Sequence, residues 1–134
     1  MGNYMGGIRT VAALTLVLFP AVAVLALEPP DRKRVTEEDK LYFATKLDKE
    51  QVERIGKIIN HTYLGNKKAC EKYKTMKSTL RFIKEMQPII REASKSAMIS
   101  SYARKYSKEL STELSETSTA LNEIMPRYAS RCGD

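Results

Sequence analysis

The sequence predicts an all-α protein: a small antiparallel helical bundle, or a long helical hairpin with extra N-terminal helices, closed by one disulfide. Three observations predict it. Apolar residues recur three and four positions apart through most of the chain beyond Thr36. Strand signals are missing, with no alternating β-branched run outside the N-terminal apolar stretch and no Asn-Gly or Asp-Gly turn. And Ile89 to Met125 contains neither glycine nor proline, the residues that punctuate helices.

The chain opens with a segment that reads as an address. Met1 to Thr10 carries a single charge, Arg9. Val11 to Ala26 is uncharged and apolar, ends in small residues, and gives way abruptly to Glu28-Pro29-Pro30-Asp31. That order is expected of a secretory signal peptide over 1–26. The run is shorter than the roughly 20 residues a membrane-spanning helix needs, and Pro20 interrupts it. Cleavage is expected near Ala26, with Ala23 as the second choice; an uncleaved anchor is the alternative. The Ala/Val/Leu-rich run favours a bacterial periplasm, or secretion. Losing Arg9 lowers the formal net charge of +7 by one. The remaining chain is expected to be one domain, able to bury about 65% of its unfolded surface.

Residues 27–35, Leu-Glu-Pro-Pro-Asp-Arg-Lys-Arg-Val, read as a flexible basic leader. Arg32-Lys33-Arg34 reads either as an unstructured arm or as a dibasic processing site. The helical domain is expected over 36–134. Its first helix starts after Thr36, where Glu37, Glu38 and Asp39 complement the helix dipole and Asp39 completes a variant capping box. Asp48 caps a second helix over about 49–64, with Gln51 at the third helical position; Val52, Ile55, Ile59 and Tyr63 form its apolar face, and Gly65 is its expected stop. Asn66 is the expected cap of a third helix, with Ala69, Tyr73, Met76, Leu80 and Ile83 as its seam. Pro88 either begins a new helix or kinks a continuous one. A last seam runs Leu110, Leu114, Thr117, Leu121, Ile124 and Tyr128, with regular helix expected to end at Pro126.

Cys70 and Cys132 are the two cysteines. In an exported chain they are expected to pair, the alternatives being free thiols or an intermolecular bond. The pairing constrains the topology. With one reversal at Pro88, the outgoing arm from Cys70 would be about 26 Å long and the return about 65 Å, leaving Cys132 about 40 Å beyond its partner. A reversal between about 98 and 104 brings the two together. Ser100 and Ser101 lie there, and both are better caps than helix-interior residues. Three reversals, near Pro88, Ser100 and Ser111, would also close the bridge.

Chemistry is restricted by what the sequence lacks. One histidine, His61, and two cysteines do not make a metal site of usual spacing, and no nucleophile elbow or phosphate-cradling glycine loop occurs. No cofactor and no enzymatic activity are expected, and His61 reads as structural. Asn60-His61-Thr62 matches a glycosylation sequon, which matters only in a eukaryotic secretory pathway.

Binding is the remaining class. Lys74, Lys77, Arg81 and Lys84 each follow a core position by one residue and form a stripe about 100° from the apolar seam. Tyr102, Arg104, Lys105 and Tyr106 make an aromatic, basic tip at the expected reversal. Both patches suit a protein partner with an acidic face; an anionic envelope polymer or a lipid surface is the alternative for the basic helix over 67–84, and a plain solvated face is the structural reading. Nucleic acid is disfavoured by the export signal, the absence of Trp and the lack of a reading motif. The expected function is therefore that of an exported helical binding protein of the inhibitor, immunity, effector or envelope-accessory type. The alternative is a carrier of a small apolar ligand, with Met76, Met86, Met98 and Met125 lining an interior cavity or simply filling the core.

Overall fold

Thr36 caps the first of the described α-helices by the reciprocal bonding the sequence predicts. Its Oγ1 accepts the Asp39 backbone N–H at 3.0 Å, and the Asp39 carboxylate accepts the Thr36 N–H at 3.1 Å. The computed structural model describes residues 34–133; the expected signal peptide and cleavage site, and nearly all of the expected basic leader, lie outside them. The capped helix is α1 (Glu37–Lys46). Asp48 and Gln51 form a second reciprocal box that opens α2 (Lys49–Ile59). Two long helices follow, α3 (Ala69–Ala93) and α4 (Ser101–Ala129), and a 3-10 turn over Ser130–Cys132 ends the description. No strand occurs among the described residues, and the fold is an all-α bundle.

Helix α2 ends at Ile59, five residues short of the expected end at 64. The helix is closed at His61, which takes the left-handed conformation with φ +57°; Gly65 is also left-handed, at φ +54°, but lies further along the loop. The His61 N–H donates to the Ile58 carbonyl at 3.1 Å and the Thr62 N–H to the Lys57 carbonyl at 2.9 Å, the paired bonds of a Schellman ending. Tyr63 and Gly65 therefore belong to the loop that follows. Asn66 also lies in that loop. Lys68 occupies the cap position of α3, and its N–H reaches the Glu71 carboxylate at 3.4 Å.

Helix α3 is continuous through Pro88, which sits on its exposed side, so this proline does not begin a new helix. Between Cys70 and Cys132 the chain reverses once, over residues 94–100, which overlaps the expected window of about 98–104 only at its start. Ser100 caps α4 as expected, its Oγ accepting the Ala103 N–H at 3.1 Å. Helix α4 continues past Pro126 to Ala129. The arms are then about 37 and 43 Å long at 1.5 Å per residue, similar enough for their far ends to meet. There Cys70 and Cys132 are disulfide-bonded.

The two arms share the largest interface of the fold. Leu110, Leu114, Thr117 and Leu121 of the predicted α4 seam are buried, and Ala103 and Tyr106 extend it toward the reversal. On α3 the buried arc is wider than the predicted seam. Met76 and Ile83 belong to it, but Thr79, Phe82, Met86, Ile90 and Ala93 replace Ala69, Tyr73 and Leu80, which are only half-buried. The cause is the short helices: Phe43, Val52, Ile55 and Ile58 from α1 and α2 join the same core cluster.

Three polar devices hold the arms in register. Near the middle, Gln87 Nε2 donates to the Ser111 carbonyl at 3.2 Å and to Ser115 Oγ at 2.9 Å, and Ser111 Oγ donates back to Gln87 Oε1 at 3.0 Å. At the reversal, the fully buried Asp39 accepts the Ser100 N–H at 2.7 Å and its hydroxyl at 2.6 Å. One carboxylate thus caps α1 and fixes the residue that caps α4. Arg104 completes this end by donating to the Ser96 and Ile99 carbonyls at 3.0 and 2.6 Å.

Candidate functional site

The basic stripe is displayed in full. Lys74, Lys77, Arg81 and Lys84 are all exposed on α3. From Lys72 to Lys84 the helix carries five cations and no acid. Packing on the other side of α3 fixes the direction in which they project. Lys77 Nζ lies 5.1 Å from the centroid of the Tyr73 ring, so the half-buried tyrosine steers one member of the stripe. Arg54 of α2 approaches the same helix but serves the fold: its guanidinium covers the Phe82 ring at 4.5 Å and donates to Ser78 Oγ at 2.7 Å.

The tip behaves differently from the stripe. Tyr102 and Tyr106 stack with ring centroids 6.4 Å apart and planes 3° from parallel. Tyr106 is buried, Tyr102 is half-buried beneath the Arg34 guanidinium 5.7 Å away, and Arg104 is engaged with the loop carbonyls. Only Lys105 of the four residues is exposed. The aromatic-basic character that singled out this segment is used mainly to build the reversal.

A second surface was not visible from the sequence. Ile59 at the end of α2 and Tyr106, Glu109, Leu110, Thr112, Glu113 and Glu116 of α4 line a half-open groove of about 360 Å³. Its floor is apolar and its rim acidic. From Glu109 to Met125 helix α4 carries four glutamates and no base. Glu109, Glu113 and Glu116 are spaced four and three apart, which places them on one face. The Tyr106 hydroxyl is covered and makes no hydrogen bond among the described residues. Burial pushes its pKa well above the ordinary tyrosine value, and Tyr102, Glu109 and Glu113 push it in the same direction. Only the spacing of the glutamates could have signalled this groove, because its other wall comes from Ile59 on a separate helix.

The four methionines do not share a cavity. Met76 and Met86 are buried in the common core, Met125 is half-buried, and Met98 is 75% exposed in the reversal loop. None of them lines the acidic-rimmed groove. His61 is exposed in its turn. Among the described residues no group of three or more His, Cys, Asp or Glu side chains is arranged to hold a metal ion, and no helix is long and apolar enough to cross a membrane. No family model, curated protein or solved structure matches the chain.

Proposed function

We propose that this chain is an exported, non-enzymatic binding protein that docks an acidic face of a protein partner through Lys74, Lys77, Arg81 and Lys84. The observation that carries the reading is the exposure of all four cations along one face of α3. The helix beneath them is anchored to α4 by apolar packing, Gln87 and the Cys70–Cys132 bond. A rigid row of like charges concentrates an anionic partner and orients it on approach. The tip contributes Lys105 at most, since Arg104 and Tyr106 are occupied within the fold.

The test is capture of partners from the native exported protein fraction by the wild-type chain and by a K77E/R81E variant. The reading predicts a partner that the wild type retains at low salt, that elutes as salt rises, and that the variant loses. Retention by the variant, or indifference to salt, contradicts it. Capture of anionic polymer or lipid in place of protein reassigns the same stripe to an envelope surface.

A further inference from the structure

We propose, resting on the docking role of the basic stripe, that its acidic partner places one carboxylate side chain in a groove on the α3–α4 seam, between Lys84 and Arg91. Lys84, Pro88 and Arg91 of α3 line this groove with Ser115, Ser118 and Asn122 of α4, and its volume is about 630 Å³. It lies beside the Gln87 link between the two helices. The stripe brings the partner in, and the groove gives it a fixed point of contact.

Three features lead to that chemistry. The first is continuity. The stripe's steps of three and four residues run on from Lys84 through Pro88 to Arg91, so the row spans about 25 Å of helix from Lys74. Pro88 is exposed within it, and its ring is shorter than the cationic side chains on either side. The second is charge. No residue lining the groove is acidic, and neither Lys84 nor Arg91 is in a salt bridge among the described residues.

The third is the supply of hydrogen-bond donors, which Gln87 arranges. Arg91 donates one guanidinium N–H to Gln87 Oε1 at 3.4 Å, which ties the fork to the seam and leaves its other donors uncommitted. Ser115 Oγ accepts from Gln87 Nε2 at 2.9 Å, so its own proton points elsewhere. Among the described residues that proton has no acceptor, and the Ser118 and Asn122 side chains make no hydrogen bond. Gln87 is itself buried and is held by Ser111 as well, so the link that keeps the helices in register also positions the groove. Two cations and several unused donors complement a carboxylate, which a planar guanidinium binds through paired N–H···O bonds. The lysines of the stripe attract an acidic surface without a preferred angle, and the groove sets its register.

The experiment titrates the disulfide-bonded protein with a capped peptide of alternating glutamate and glycine, and with its glutamine counterpart. Binding is followed by NMR at the Arg91 side-chain Nε–H and the Asn122 side-chain amide. The proposal predicts saturable binding of the glutamate peptide that shifts both signals, and binding of the glutamine peptide at least about tenfold weaker. R91Q should weaken binding at least about tenfold, and R91K should recover little of it, because lysine lacks the fork. S115A/N122A should weaken it about fivefold. K49Q removes the same charge from the exposed start of α2, outside the groove, and should bind within about twofold of the wild type. Equal affinity for the two peptides, R91Q no weaker than K49Q, or no saturable shift at Arg91 and Asn122 overturns the proposal. K77E/R81E judges the stripe separately. If that variant loses the peptide while R91Q keeps it, the docking face stands and the groove falls. If R91Q loses the peptide while K77E/R81E keeps it, the docking reading falls and the proposal with it, and the groove is a carboxylate site of its own.

Discussion

Helices α3 and α4 are close in length, 25 and 29 residues, and pack on each other through buried apolar seams, yet their outer faces carry opposite charge. One has five cations in a row of thirteen residues from Lys72 to Lys84 without an acid; the other has four glutamates from Glu109 to Met125 without a base. Packing explains the shared seam, because each helix must bury a stripe against the other. It does not explain the charge. Exposed ion pairs contribute little to stability, so the two faces were free to diverge for other purposes. The seam accounts for the fold, and the faces are where binding is to be sought.

The comparison requires that the helices remain a pair, and the ties between them can be cut one at a time. Cutting the covalent tie should have the largest effect. C70S/C132S should lose roughly 4 kcal/mol of stability, because the bridge closes a loop of 62 residues in the unfolded chain, and the loss would appear as a lower urea midpoint. The end of the hairpin next to the broken bridge should open first, seen as fast amide exchange in the first turns of α3.

Next comes the buried carboxylate at the other end. D39A leaves the Ser100 N–H and hydroxyl and the Thr36 N–H without their acceptor, and should cost about 3 kcal/mol. D39N keeps one carbonyl oxygen and should recover part of that loss. Equal midpoints for wild type and D39A would mean that the latch does not hold the reversal. Smaller again is Q87A, at about 1–2 kcal/mol, which removes the central link to Ser111 and Ser115. The smallest effect is a gain: H61G should raise stability by about 0.5–1 kcal/mol, since glycine takes the left-handed turn after α2 without the crowding a Cβ brings.

These ties differ in how far the sequence reveals them. The disulfide and the single reversal were legible because an expected export signal, chain length and helical rise together leave few ways for Cys70 to meet Cys132. Both capping boxes were legible because their partners lie three residues apart. The α4 seam was legible for the same local reason. The Asp39–Ser100 latch was not, since its partners are 61 residues apart and only the docking of α1 on the reversal brings them together. The widened arc of α3 was hidden for a similar reason: Thr79 and Phe82 are buried by neighbours that periodicity within one helix does not report.

The His61 turn shows a different limit. Gly65 is the usual signal for a helix end and does adopt a positive φ, but the Schellman bonds form four residues earlier on a residue with a side chain. At the candidate sites, the stripe was legible from spacing alone. The tip was misleading, because Arg104 and Tyr106 have the composition of an interface and the contacts of a loop anchor. The acidic-rimmed groove needed the structure, which brings Ile59 beside α4.

The proposal that α3 carries the binding face requires its charge to be independent of the fold. It is tested most directly by measuring, on the same samples, the salt dependence of partner retention and the urea midpoint for wild type and K77E/R81E. The account predicts that the variant keeps its stability to within about 0.5 kcal/mol while retention and its salt dependence are lost. A variant that retains the partner with an unchanged salt response would contradict it.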